Sequence, residues 1–136
     1  MKIARGVLEE IRRHAEEGYP YEICGVLIGR ADDRLVIHSR RMANTVLNQR
    51  ETRYRFDDLE HMRVQRAVDE VGLEIVGYYH SHPDHPAVAS ETDAQDSWAG
   101  PFYLIVASHK GGTGDVNVFV ANEDHGSMRR EPLEVV

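Results

Sequence analysis

Apolar residues recur at helical spacing at the start of the chain. Ile3, Val7, Leu8, Ile11 and Ala15 form one face, while Arg5, Glu9, Glu10, Arg12 and Arg13 cover the other. Gly18 and Pro20 stop that predicted helix. His14 falls in its last turn, where a cation suits the helix dipole, and receives no catalytic role. Ile23 to Ile28 is a continuous apolar run and predicts a buried central strand. Gly29 to Asp33 forms a polar turn, and Arg34 to Arg40 the returning strand of a hairpin. Tyr54-Arg55-Phe56 predicts a short strand leading to a helix capped by Asp57. That helix carries Leu59, Met62, Val64, Val68 and Val71, ends at Gly72, and holds His61 on its exposed side. Leu73 to Gly77 begins another strand, and a helix start follows at Ser90. Pro101 to Ala107 and Val116 to Ala121 are strands joined by the Gly111–Asp115 loop, and Met128 to Val136 closes the chain as a strand. The order α-β-β-β-α-β-α-β-β-β predicts an α/β fold over residues 1–136, a single-domain mixed sheet flanked by helices.

The segment from Tyr78 to Trp98 concentrates the chemistry. If the strand from Leu73 runs through His82, His80 and His82 share one face, because strand side chains alternate, and Ser81 points the other way. Pro83 lacks an amide hydrogen and closes the strand. Ser90 opens a helix, with Asp93 three residues on. Two imidazoles from a strand end and a carboxylate from a helix start can converge on one cation. Three N/O donors leave a fourth tetrahedral position for water, as in catalytic rather than structural zinc. The competing reading makes the histidines solvated and Ser90-Glu-Thr-Asp93 a capping box, which claims the same Asp93 carboxylate.

Other candidates are weighed beside these. Glu22 stands just ahead of a buried strand; by itself it would be a solvated turn residue, but the downstream His-His-Asp set favours a functional role. Cys24 is expected as a small core residue rather than a nucleophile. His38 and His85 are expected at the surface; His85, which borders the metal segment, has a fourth metal ligand in a resting state or a substrate contact as its alternative readings. Arg40, Arg41, Arg50, Arg53 and Arg55 form a basic cluster, either a solvated edge or guanidiniums that hold carboxylates of a protein substrate. The Gly111–Asp115 loop joins two strands, so it is not a phosphate loop.

His80-x-His82, seven residues, Ser90, two residues, Asp93 matches the signature of the JAMM (MPN+) metallopeptidases without a gap. Tyr19-Pro-Tyr-Glu22-Ile-Cys-Gly-Val-Leu-Ile-Gly29 resembles the family's upstream glutamate segment, and Asn44 to Asp57 its middle segment. The resemblance covers nearly the whole chain. It implies a JAMM/MPN, cytidine-deaminase-like fold with His80, His82 and Asp93 holding Zn2+ and water as fourth ligand. It also implies Glu22 as general acid/base and Ser90 as hydrogen-bond donor to an oxyanion. The family cuts bonds after the C-terminal glycine of ubiquitin-like proteins. The chain lacks room for the insertions of the eukaryotic deubiquitinases and resembles the compact prokaryotic members, which act on ubiquitin-like sulfur carriers. A Gly-Gly-terminated carrier is therefore the expected substrate; cobalt or iron could use the same donors.

Composition narrows the alternatives. The 136 residues are 41% hydrophobic and 29% charged, enough for one core and ordinary for a soluble protein. A formal net charge of −7 disfavours nucleic acid as partner, and with it a DNA-repair-associated relative. The single cysteine excludes an intrachain disulfide and a Cys-based zinc site. A nucleoside deaminase would need His-x-Glu together with Pro-Cys-x-x-Cys, and the single cysteine cannot supply the second. No apolar leader or membrane span is recognisable, so a cytoplasmic location is expected. The remaining alternative is a non-catalytic MPN scaffold that uses the fold for association; a homodimer stays open.

Overall fold

The computed structural model describes residues 1–46, 49–124 and 126–136. Positions 47 and 48 of the 44–57 segment thus lie outside the described residues. The elements are β1 (Lys2–Ile3), α1 (Arg5–Gly18), β2 (Cys24–Arg30), β3 (Leu35–Met42), α2 (Asp58–Glu70), β4 (Glu74–Pro83), α3 (Glu91–Asp96), β5 (Phe102–His109), β6 (Gly112–Ala121), β7 (Met128–Glu131) and β8 (Glu134–Val135). The strands form one sheet in the order β7-β6-β5-β4-β2-β3-β1-β8. β4 and β5 run parallel at its centre, and β2 lies antiparallel to both β3 and β4. The predicted mixed sheet is thus the observed one.

β7 and β8 close opposite ends of that order, yet three Cα steps separate Glu131 from Glu134. Three steps span at most ~11 Å. The sheet therefore curls until its edges approach. Arg34 fastens the closure: its guanidinium lies 2.7 Å from Glu131 and 5.0 Å over the Phe102 ring. The expected single closing strand is split, because Pro132 and Leu133 carry the chain from one edge to the other.

The two faces bury different cores. α1 covers one face, where Ile3, Ile11, Ala15, Leu27, Tyr79, Leu104 and Val106 pack together. α2 covers the other through Val64 and Val68, against Cys24, Val26, Met42, Tyr78 and Tyr103. Alternation along β4 sends Tyr79 to the first face and Tyr78 to the second, so His80 and His82 follow Tyr78. Gly25 is required beneath Tyr79, since a Cβ there would stand 2.2 Å from the ring.

Several expectations are corrected. Ile3 belongs to β1, not to the helix, because Lys2 and Ile3 are captured between β3 and β8. Tyr54 to Phe56 is part of no strand. β6 begins at Gly112, so most of the expected loop is ladder. Leu59, Met62 and Val71 stay exposed, because only the Val64–Val68 stripe of α2 faces the sheet. His61 is half-buried and 2.9 Å from the Tyr78 hydroxyl. His14 is buried with Nδ1 2.7 Å from the Tyr79 hydroxyl, and burial, aided by the Arg41 charge, pushes its pKa down to about 4. It is a neutral core histidine rather than a cation at a helix end.

Candidate metal centre

β4 places the two histidines. His80 and His82 are 1% and 9% exposed, on the α2 face of the central strand. The His82 Nδ1–H donates to the Pro86 carbonyl at 2.9 Å, which leaves Nε2 as the nitrogen with a lone pair. That Nε2 lies 3.2 Å from His80 Nε2. Pro86 can reach it because Pro83 ends the strand and Asp84, at φ 59°, turns the chain back.

α3 brings the carboxylate. Ser90 caps it: the Asp93 amide donates to Ser90 Oγ at 3.0 Å, and the Ser90 amide to Asp93 Oδ2 at 2.9 Å. The same Oδ2 stands 3.1 Å from His82 Nε2, while Oδ1 stands 3.1 Å from His80 Nε2. The capping box and the convergence are therefore not alternatives. One carboxylate serves both, because the box occupies part of one oxygen.

Glu22 approaches from the other side. It precedes β2 and is 4% exposed, and one of its oxygens lies within 4.8 Å of an imidazole nitrogen from each of His80 and His82. Its backbone and that of Ile23 are each held at two points. The Ile23 amide donates to Ser81 Oγ at 2.9 Å and the Ser81 amide to the Ile23 carbonyl at 3.1 Å. The Glu22 amide donates to the Arg50 carbonyl at 2.6 Å, and Asn44 Nδ2 to the Glu22 carbonyl at 3.1 Å. Ser81 does point away from the histidines, and its work is to fix the segment carrying Glu22.

The electrostatics separate the two carboxylates. Burial pushes Glu22 up to about 8, assisted by the Asp93 charge and opposed by His82. Burial also works against the Asp93 anion, but hydrogen bonds from His80 and His82 outweigh it and hold that carboxyl well below the usual range. Burial lowers His80. It acts on His82 in the same direction, where hydrogen bonds to Asp93 and Pro86 reverse the result and raise it.

These donors fit a small divalent cation. N and O donors on a tetrahedral zinc stand about 3.3–3.5 Å apart, close to the 3.1–3.2 Å triangle of two imidazole nitrogens and the Asp93 oxygens. Imidazole and carboxylate donors are ones that zinc and other divalent transition metals accept. His80 Nδ1 is buried with no hydrogen-bond partner among the described residues, and its ring stacks on Tyr54 at 4.5 Å and 26°.

A cavity of about 870 Å³ opens beside the centre, between the 45–56 segment, α2 and α3. Asp93 and Glu22 reach it, and Tyr54, Phe56 and Trp98 supply aromatic surface. The basic cluster divides here. Arg41 is committed to Glu10 and Glu17 of α1, whereas Arg53 and Arg55 line the cavity. His85 is exposed and joins none of these groups among the described residues, and Cys24 is buried with its thiol pushed up to about 12 by burial. Tyr54, Trp98 and Asn44 were not singled out from the sequence as site residues. The signal for Tyr54 and Asn44 lay only in the resemblance of the 44–57 segment, and Trp98 closed the Tyr78–Trp98 segment without a role of its own.

Residues 4–121 match the family described as prokaryotic homologs of the JAB domain. The chain belongs to that family, the prokaryotic JAMM proteins. It is 36% identical over 110 residues to the desampylase of Haloferax volcanii, covering 77% of this chain and 78% of that protein. It is 31% identical to a probable TtuB-protein conjugate cleaving protease of Thermus thermophilus, over 89% and 76% of the two chains. The CysO-cysteine peptidase of Mycobacterium tuberculosis is 30% identical, over 90% and 82%. A solution structure of a protein from Salinibacter ruber superposes with TM-score 0.77 at 34% identity, over 100% and 92%. A JAB1/MPN domain protein from Archaeoglobus fulgidus, at 21% identity, TM-score 0.65 and coverage of 100% and 99%, shares the fold. No helix among the described residues is long and apolar enough to cross a membrane.

Proposed function

We propose that this JAMM hydrolase is a zinc-dependent peptidase cleaving the amide bond after the C-terminal Gly-Gly of a ubiquitin-like or sulfur-carrier protein. The observation that carries the reading is the convergence of His80, His82 and Asp93 with a buried carboxyl, Glu22, beside the same histidines. His80 Nε2, His82 Nε2 and Asp93 would hold the zinc. When bound, it supplies Lewis acidity that polarises water and the scissile carbonyl. Glu22 takes a proton from the attacking water as its oxygen bonds to the carbonyl carbon, then delivers that proton to the leaving amine as the C–N bond breaks. Burial raises its pKa in the metal-free site, and a cation bound beside it would favour the carboxylate that takes the first proton. Ser90 Oγ accepts from the Asp93 amide and keeps its own proton free to donate to the oxyanion, where one such donor is worth ~3 kcal/mol of barrier.

The substrate class is supported by the relatives, two of which are named for cleaving TtuB-protein conjugates and CysO-cysteine. The cavity adds Arg53 and Arg55 as partners for carboxylates of a protein substrate. The second reading, a non-catalytic MPN scaffold, is disfavoured by the complete set of Glu22, His80, His82, Ser90 and Asp93.

Metal content of wild type, Asp93→Ala and Glu22→Gln, each assayed on a Gly-Gly-terminated ubiquitin-like fusion, tests the proposal. One zinc per wild-type chain, lost in Asp93→Ala and kept in Glu22→Gln with cleavage gone in both, is expected. A wild type that takes up no metal after zinc is added back would overturn the peptidase and leave the scaffold.

A further inference from the structure

The 44–55 segment touches the candidate centre twice, and one side chain joins both contacts. Asn44 Nδ2 donates to the Glu22 carbonyl at 3.1 Å and to the Arg53 carbonyl at 3.0 Å. Its Oδ1 accepts from the amides of Val46 and Arg55, each at 3.1 Å. A carboxamide offers two donors and two acceptor lone pairs, and here all four are used. Arg53 and Arg55 flank Tyr54, whose ring stacks on His80 at 4.5 Å. The peptide of Glu22 and the residue stacked on His80 are therefore referred to one planar group. We infer that Asn44 is a positioning residue of the active site: it sets the Glu22 carboxyl and, through Tyr54, the His80 ring in mutual register. The inference rests on the proposed function, in which Glu22 is the acid/base.

The chemistry of the position explains why Asn is needed. Asp keeps both acceptors but presents an anion to the Glu22 and Arg53 carbonyls, where two N–H groups stood. Gln carries the same group one methylene farther out and cannot hold the same four points. Ser81 secures Ile23 independently, so loss of Asn44 releases Glu22 without releasing the strand behind it. Asn44 itself bonds to neither metal-bearing element among the described residues, since its partners are Glu22, Arg53, Val46 and Arg55 while β4 carries the histidines and α3 the aspartate. Loss of register, rather than loss of metal, is the consequence, and a displacement of the order of 1 Å at a reacting group costs roughly 10²-fold in rate.

Asn44→Asp separates this role from simple loop shaping, since it retains the bonds to Val46 and Arg55 that close the loop. Asn44→Ala, which removes all four, is measured beside it. Amide-resolved hydrogen exchange on the zinc-loaded proteins gives the first readout. Glu22, whose amide rests on the Arg50 carbonyl, should exchange at least about tenfold faster in both variants, while Ile23 and the β5 amides keep wild-type protection and report an intact fold. Cleavage of the Gly-Gly fusion gives the second: in Asn44→Asp kcat should fall at least about tenfold with KM within about twofold and zinc stoichiometry unchanged. Wild-type exchange at Glu22, or faster exchange with wild-type kcat, would overturn the positioning role. Loss of zinc from Asn44→Asp would also overturn it, because the residue would then be supporting the metal site. A wild type that loads zinc but cleaves no Gly-Gly fusion would overturn the proposed function, and the exchange comparison would still decide whether the tie to Glu22 exists.

Discussion

Glu22→Gln has a consequence for stability that is separate from catalysis. In the folded protein, burial raises the Glu22 carboxyl from its ordinary 4.5 to about 8. Between those values the unfolded chain is ionised at this position while the folded chain keeps the proton. The folded state therefore binds more protons, and stability falls as pH rises. A difference of one bound proton changes stability by about 1.4 kcal/mol for each pH step of one, so the metal-free wild type should lose about 2.5 kcal/mol through this group between pH 5 and pH 7. Gln preserves the shape and cannot ionise, so the variant should lack that slope. Urea denaturation of chelator-treated wild type and Glu22→Gln at pH 5, 6 and 7 measures it, and taking differences at each pH cancels the groups common to both. The advantage of Glu22→Gln should grow by about 2.5 kcal/mol across the range. Restoring zinc should shrink the growth, because a nearby cation favours the carboxylate. A stability difference that stays flat with pH would refute the buried, proton-holding Glu22, and with it the physical basis for its acid/base role.

Asp93→Ala should abolish stoichiometric zinc and also remove one half of the α3 capping box, for a further cost of about 1 kcal/mol seen in denaturation of the metal-free protein. His14 gives the opposite pH limb: its folded pKa is depressed to about 4, so the unfolded chain is protonated first as pH falls from about 6.5. Wild type should then lose about 3 kcal/mol between pH 7 and pH 4 through this group, a loss that His14→Leu should remove from the acid limb; an unchanged limb would count against it. Charge reversal of Arg55, which lines the cavity without an ion-pair partner among the described residues, should raise KM for a protein substrate several-fold with kcat nearly unchanged. An unchanged KM would reject the contact.

The centre was legible because its parts are local. His80 and His82 share a face because strand side chains alternate, a rule that needs only two residues of context. Ser90 and Asp93 are three apart at a helix start, where backbone geometry itself turns them toward each other. Glu22, whose place ahead of an apolar run reads by itself as a solvated turn, was singled out by the downstream His-His-Asp set and by the family resemblance. The sequence presented capping and convergence as rivals for Asp93; the structure reconciles them, since the cap takes part of Oδ2 alone, and that oxygen still faces His82 while Oδ1 faces His80.

What required tertiary structure involves groups far apart in the chain. Asn44 meets Glu22 across 22 residues, and Tyr54 meets His80 across 26, from positions that belong to no helix or strand and so have no periodicity to betray them. Arg41 and Arg55 look equivalent in the sequence, yet helix α1 neutralises one with Glu10 and Glu17 while the other faces the cavity. His14 was expected as a cation because its helix position suits one; Tyr79, reached only when β4 packs beneath α1, makes it a buried neutral partner instead. The last strand was expected whole, but curling of the sheet brings its two edges together and divides that strand between them. Side-chain alternation, capping and turns are set by covalent geometry within a few residues, so the sequence alone determined them. Which loop lies against which carboxyl is set by how two cores pack on opposite faces of one curled sheet, and only the assembled chain decides it.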